Sequence, residues 1–150
     1  MGQQQLLLLV LGIVIVGLAV VVGISAFSEN RIKSNADAIV TDGLRIASDA
    51  QAWKLKPGQF GGALSTEDLD DVTFDEIGYP NSAGVYSNVD GSFEWTAPTG
   101  VTCVAPASVP SGNAIIVTLY GYNLETGNCI AIGIAGTKAN DIGTQITYGS

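Results

Sequence analysis

The stretch LLLLVLGIVIVGLAVVVGISAF, residues 6–27, decides the fold, because it needs an apolar environment that the rest of the chain cannot supply on every side. Apart from three glycines and Ser25 it is wholly apolar, and residues 1–28 contain no charged side chain. A helix that crosses the roughly 30 Å hydrocarbon core of a bilayer needs about 20 apolar residues. A surface helix of a soluble domain would carry polar residues along one side. The stretch therefore predicts a membrane-spanning helix.

Residues 28–56 predict an amphipathic continuation of the same helix. The first proline follows at Pro57, and Pro57-Gly58 is a typical helix end. We therefore expect one helix from about residue 5 to residue 53, about 73 Å long. Its second half carries a single apolar stripe with steps of three and four residues, formed by Ile32, Ala36, Ile39, Val40, Leu44, Ala47, Ala50 and Trp53.

Residues 57–150 predict one small β-rich domain. A glycine-rich connector is followed by a helix-start signal with Ser65 as the cap, which leaves room for a short helix only. Short β-rich runs separated by turn residues favour an antiparallel meander over a parallel sheet. The expected fold is α+β, a long helix whose stripe covers one face of the sheet. The predicted strands are residues 85–86, 93–96, 101–105, 114–122, 129–134 and 144–148.

The charge distribution excludes several functions. From Pro57 onward the chain has 10 acidic residues and a single base, Lys138. Such a domain repels phosphate backbones, so we expect no nucleic-acid partner. The chain has no histidine, which excludes a histidine-based catalytic triad. It also lacks a phosphate-binding loop and a dinucleotide-binding fingerprint, so we expect neither an enzyme nor a cofactor.

Two features of the domain leave alternatives open. Cys103 and Cys129 fall in two predicted strands of one sheet, and in an exported domain we favour a disulfide over two free thiols. An acidic run offers oxygen ligands for calcium, with a solvated loop as the favoured alternative because the spacing does not match a twelve-residue calcium loop. The calcium candidates within that run of residues 67–76 are Asp68, Asp70, Asp71 and Asp75.

The apolar run, its amphipathic continuation and the small β domain together resemble type IV pilins and the related pseudopilins. In that family a membrane-embedded prepilin-type peptidase cuts after a glycine just before the apolar helix. The resemblance implies cleavage between Gly2 and Gln3, with residues 1–2 as a residual leader and methylation of the new N-terminus. It also implies that the apolar half-helices pack in a filament core, through Leu6, Leu9, Gly12, Ile13, Val16, Gly17, Val20, Gly23 and Phe27.

Three features of this chain differ from the family's usual pattern. The leader would have no basic residue, and the apolar run contains no proline. The mature chain would begin Gln3-Gln4-Gln5-Leu6-Leu7, without the family's phenylalanine and glutamate. A glutamate would pair with the amino terminus of a neighbouring subunit, whereas glutamines offer only neutral hydrogen bonds.

The resemblance implies a structural subunit of a type IV pilus-like filament, located first in the inner membrane and then at the cell surface. Its partners would be identical subunits, the membrane, the peptidase and the assembly machinery, with adhesion as one use of the filament. One alternative is a single-span, membrane-anchored binding module that does not polymerise. Arg31 and Lys33 lie on the domain side of the span, a weak charge bias that opposes the exported orientation. Another alternative is a secretion signal cut after Ala26, although no basic residue precedes the apolar run.

Overall fold

The computed structural model describes residues 2–64 and 68–149 as one long helix on a five-stranded antiparallel sheet, which confirms the predicted α+β class. Helix α1 spans Gly2–Leu55 without interruption. The strands are β1 (Tyr86–Ser87), β2 (Ser92–Glu94), β3 (Val117–Tyr122), β4 (Cys129–Ile134) and β5 (Ile142–Thr147).

Helix α1 begins and ends slightly outside the predicted limits. It starts three residues earlier, at Gly2, and runs two residues further, to Leu55. The chain then turns at Pro57 and comes back along the end of the helix, where the Ala63 backbone N–H donates to the Trp53 carbonyl oxygen (3.2 Å). This return closes the end of the helix that lies furthest from the apolar run.

The sheet is a meander in which each strand pairs with its neighbours in sequence, in the order β1-β2-β3-β4-β5. Its centre is the six-residue ladder of β3 and β4, which pairs Val117 with Ile134 and Tyr122 with Cys129. Short connections join β1 to β2, β3 to β4 and β4 to β5, whereas the long segment of residues 95–116 joins β2 to β3. The sheet therefore offers one continuous face to α1.

The helix packs on the sheet through a face that differs in part from the predicted stripe. Leu44, assigned to the stripe, is 37% exposed, whereas Ile46 is 1% exposed. Gly43 is also buried, because a Cβ at this position would lie 2.6 Å from Cδ1 of Ile132. A spacing of three and four residues fits both the predicted face and the observed face of α1. The close approach of helix and sheet at Gly43 selects the observed face.

The predicted strand at residues 101–105 is wrong. These residues form no strand, and the segment that follows lies over the outer face of β4, where a Cβ at Gly133 would touch Ile115 and Pro106. Pro106 and Pro110 lack the backbone N–H that a ladder needs. The segment therefore covers the sheet, and this explains why all six residues of β4 are buried although its neighbour β3 alternates between buried and half-buried.

The predicted helix start at Ser65 lies outside the described residues, as does Thr66. The described chain resumes with a single 3-10 turn, Leu69–Asp71, capped by Asp68. Asp68 and Asp71 form a reciprocal capping box on this turn.

Candidate functional site

The apolar half of α1 is exposed on all sides. All residues from Gly2 to Arg31 are exposed, and the most apolar 18-residue window is 0% buried. Among the described residues, α1 is the one helix long and apolar enough to cross a membrane. A surface of this size and uniformity is unfavourable in water, and contiguous apolar surface marks a site of contact with lipid or protein. The main candidate site of this chain is therefore a surface and not a cavity.

The residues predicted to pack in a filament core lie on one side of this apolar half. At 100° per residue, the steps from Leu6 to Phe27 keep the large side chains within one narrow sector. Their exposed fractions range from 54% to 69%. A Cβ built on Gly12, Gly17 or Gly23 meets nothing within 4 Å, so these three glycines leave shallow, open places on the helix. The large side chains of this sector are Leu6, Leu9, Ile13, Val16, Val20 and Phe27.

This sector faces away from the sheet. The domain covers the side of α1 that contains Ala36, Ile39 and Ala50, about 130° around the axis from the predicted packing sector for an ideal helix. A second helix that approached the sector would therefore not meet the subunit's own sheet. Gly2 and Gln3, the predicted processing position, form the exposed first turn of α1, and Met1 lies outside the described residues.

A network of asparagine side chains fixes the domain where the helix leaves it. Asn128 is 0% exposed, and its Nδ2 donates to the Ile32 carbonyl oxygen (2.7 Å) and to Oδ1 of Asn35 (3.2 Å). Its Oδ1 accepts from the Gly149 backbone N–H (3.2 Å). The Thr126 hydroxyl donates to the same Oδ1 of Asn35 (2.9 Å). A buried amide needs its partners, so this network sets the position of β4 along α1.

Two loops continue the network around the helix. The Asp90 carbonyl oxygen accepts from Nδ2 of Asn35 (2.8 Å) and from Nδ2 of Asn123 (2.8 Å). Nδ2 of Asn88 donates to the Asp42 carboxylate (2.6 Å). These bonds tie the β1–β2 and β3–β4 loops to α1 and to each other.

This network was not predicted from the sequence. One signal was available, since Asn35 interrupts the apolar stripe at a position where the helix faces the domain, between Ile32 and Ile39. A second was Asn128 directly before a buried strand. A polar residue at a predicted core position indicates a buried hydrogen-bond partner. The identity of that partner, a helix carbonyl 96 residues away in sequence, follows only from the fold.

The predicted disulfide is confirmed. Cys103 and Cys129 are bonded, with their Cα atoms 5.4 Å apart. Cys129 opens β4 as predicted, but Cys103 lies in irregular chain and not in a strand. The bond therefore ties the segment outside the sheet to the strand beside the asparagine network.

Three of the four acidic residues considered for calcium are engaged in local hydrogen bonds. Asp68 and Asp71 cap their own turn, and Asp75 accepts from Nδ2 of Asn81 (2.7 Å). Asp70 lies in the same turn, and Glu67 lies outside the described residues. Within residues 2–64 and 68–149, no group of three or more His, Cys, Asp or Glu side chains could hold a metal ion.

Tyr79, which follows the 3-10 turn Leu69–Asp71 in the chain, is hydrogen-bonded to α1. The Tyr79 hydroxyl donates to the Asp49 carboxylate (2.6 Å). Burial and this hydrogen bond raise the pKa of Tyr79 to about 12, because both favour the neutral phenol over the phenolate. The bond is a further polar contact between the domain and α1, about four helical turns above the asparagine network.

In comparisons with protein-family models, curated proteins and solved structures, nothing matches this chain significantly.

Proposed function

We propose that this chain is a structural subunit of a type IV pilus-like helical filament that assembles through the apolar half of α1. The observation that carries the proposal is the division of one continuous helix. Its first half is apolar and exposed on every side, and its second half is packed on a sheet. A filament of identical copies would cover the first half and leave the domain outside.

The first stage of the proposed function is membrane residence. Residues 6–27 form about 33 Å of helix, which matches the hydrocarbon core of a bilayer. Lipid would then cover all sides of the apolar half, and the domain would remain in water. This stage is common to the filament subunit and to a membrane-anchored module that does not polymerise.

The second stage is the exchange of lipid for neighbouring helices. Lipid tails are as apolar as leucine, so close van der Waals contact has to favour the exchange. The open positions at Gly12, Gly17 and Gly23 allow another helix to approach closely. Contacts between different faces of identical subunits generate an open helical polymer when the rotation between neighbours does not close a ring.

The composition of the domain supports its position on the outside. Residues 57–150 carry ten acidic side chains against one basic side chain, and a surface of one sign opposes association between filaments. The disulfide between Cys103 and Cys129 suits an oxidising compartment. The charge favours an outer position for the domain in the filament, and the disulfide favours export over a cytoplasmic domain.

Electron microscopy of material sheared from producing cells tests the proposal. We expect thin filaments whose mass spectrum contains this chain. A Val16→Lys variant would place a charge in the packing sector, and a Val16→Leu variant is the matched control. We expect filaments from the control only. Filaments absent from the unmodified cells, with the chain wholly in the membrane fraction, would instead support the non-polymerising anchor.

The mature N-terminus tests the processing step. We expect it at Gln3, with a methylated amino group. An N-terminus at Phe27 would mean that the apolar run is a secretion signal, and the filament proposal would then fail.

A further inference from the structure

The second half of α1 has a side that its own domain leaves exposed. This side continues the packing sector of the apolar half, because its members lie within about 40° of the centre of that sector on an ideal helix. Arg31, Ser34, Arg45 and Ala52 are exposed, and Ala38 is half-buried. We call these five residues the basic face of α1.

The basic face is positive because the acidic side chains of α1 beside it are engaged with the domain. The Asp42 carboxylate accepts a hydrogen bond from Nδ2 of Asn88 (2.6 Å). The Asp49 carboxylate accepts one from the Tyr79 hydroxyl (2.6 Å). Both carboxylates therefore already have a partner in the subunit's own domain.

The two arginines of this face keep their charge available for a partner. In the described part of the chain, the one salt bridge joins Lys54 to Asp68 (3.6 Å). Arg31 and Arg45 belong to no such pair among these residues. Their planar guanidinium groups match the geometry of a carboxylate and bind it through two parallel hydrogen bonds.

Lipid cannot cover the whole basic face. Arg45 follows Phe27 by 18 residues, which is about 27 Å along the helix axis. The headgroup layer extends only about 5–7 Å beyond the hydrocarbon core. If residues 6–27 occupy that core, Arg45 is far outside the bilayer, and its partner must be water or a macromolecule.

A second copy of this chain has the charge that complements the basic face. Residues 57–150 carry ten acidic side chains against one basic side chain. Among the acids of this domain that the structure describes, only Asp141 is buried. A copy packed on the apolar sector and offset along the axis would carry its acidic domain past the same side of α1.

We propose that the basic face of α1 receives the acidic domain of a second copy and sets the axial register between subunits. The inference rests on the filament stage of the proposed function. The apolar sector alone fits a neighbour at many axial offsets, because its side chains are uncharged. Complementary charges across an interface fix its register and exclude wrong alignments. The small side chains of Ser34, Ala38 and Ala52 leave room for the approach.

Zero-length cross-linking of sheared filaments tests this inference on the full chain. A carbodiimide joins a lysine amine to a carboxylate that is in direct contact with it. Arg45→Lys keeps the charge and supplies the amine, and Arg31→Lys supplies a second amine on the same face. Leu44→Lys is the matched control, because Leu44 is 37% exposed and lies about 100° around the axis from Arg45.

We expect dimers on a denaturing gel in which the introduced amine at position 31 or 45 is joined to an acid of residues 57–150 of another copy. Their yield from position 45 should be at least about threefold higher than from position 44. Equal yields from positions 44 and 45, or cross-links from position 45 within one chain only, would overturn the inference. A cross-link to a different protein would overturn it as well.

A charge reversal gives an independent readout. Arg45→Glu should lower the yield of sheared filaments at least about fivefold, and Arg45→Lys should keep it within about twofold of the wild type. Urea unfolding followed by Trp53 emission should be the same for both variants, since Arg45 is exposed. A wild-type yield of filaments from Arg45→Glu contradicts the inference but leaves the filament proposal intact. Absence of filaments from the unmodified chain defeats both.

Discussion

Replacing Asn128 with aspartate should weaken the packing of the domain on α1 in a pH-dependent way. The substitution exchanges the Nδ2 amide for an oxygen at a site that is 0% exposed. That oxygen would face the Ile32 carbonyl oxygen at 2.7 Å and Oδ1 of Asn35 at 3.2 Å, both of which are acceptors. Two hydrogen bonds are lost, and a buried carboxylate is left without a cation. Burial disfavours the charged form, so the pKa of the new carboxyl group should rise in the folded state.

The magnitude follows from the linkage between protonation and folding. In the unfolded chain the carboxyl group ionises near pH 3.9, and each pH unit between this value and the folded pKa costs about 1.4 kcal/mol. Below pH 3.9 the group is protonated in both states and can donate one of the two hydrogen bonds, so the deficit should be about 1 kcal/mol. The deficit should then grow as the pH rises toward the folded pKa, and at pH 7 we expect at least about 3 kcal/mol.

Urea unfolding of the full chain in non-ionic detergent, followed by tryptophan fluorescence, measures this deficit. Trp53 packs in the helix–sheet core and is 4% exposed, so its emission reports loss of that packing. Asn140→Asp is the matched control, because Asn140 is exposed and the substitution adds the same charge. A deficit below about 1 kcal/mol at pH 7, or one that does not shrink toward pH 3, would refute the role assigned to Asn128.

Three further predictions concern the span, the disulfide and the tyrosine. Val16→Lys should weaken membrane integration by about 2.5–3.5 kcal/mol, the cost of a charge at a helix centre, with Val16→Leu unchanged in a membrane-extraction assay. A Cys103→Ser, Cys129→Ser variant should lose about 3–4 kcal/mol of domain stability in the loop-entropy relation, and an unfolding midpoint unaffected by reductant in the wild type would contradict this. The wild type should lose stability between pH 10 and pH 12, and the Tyr79→Phe variant should not show this loss. The folded pKa of Tyr79, about 12, exceeds the unfolded value of 10.0. The contribution of Tyr79 to stability is therefore present below pH 10 and disappears as the pH rises through the folded pKa. Unfolding curves that decline equally for both proteins in this range would contradict the assignment.

The sequence was sufficient for the elements that depend on local patterns. The uniform apolar run and the first proline at Pro57 predicted α1 to within three residues at each end, because an unbroken helix has few alternative boundaries. β4 was predicted with its observed limits, since an apolar run with β-branched residues between two turns is typical of a buried strand. The disulfide followed from two cysteines in one small domain.

Tertiary contacts decided the features that the sequence did not predict. The segment at 101–105 has strand composition, but the prolines that follow it and the open outer face of β4 place it over the sheet. The face that α1 buries depends on Gly43, whose missing side chain lets Ile132 approach, and residue spacing does not encode this contact. The asparagine network joins residues that are more than 90 residues apart, so only the fold brings Asn35 and Asn128 together.

We propose that identical copies of the chain, and not lipid alone, finally cover residues 6–27. Cryo-electron microscopy of filaments sheared from producing cells tests it most directly. The proposal predicts a helical reconstruction whose core consists of α1 helices, with Leu6, Val16 and Phe27 buried between subunits and the acidic domains outside. A reconstruction in which the domains stack and the apolar half-helix is absent from the core would contradict the claim.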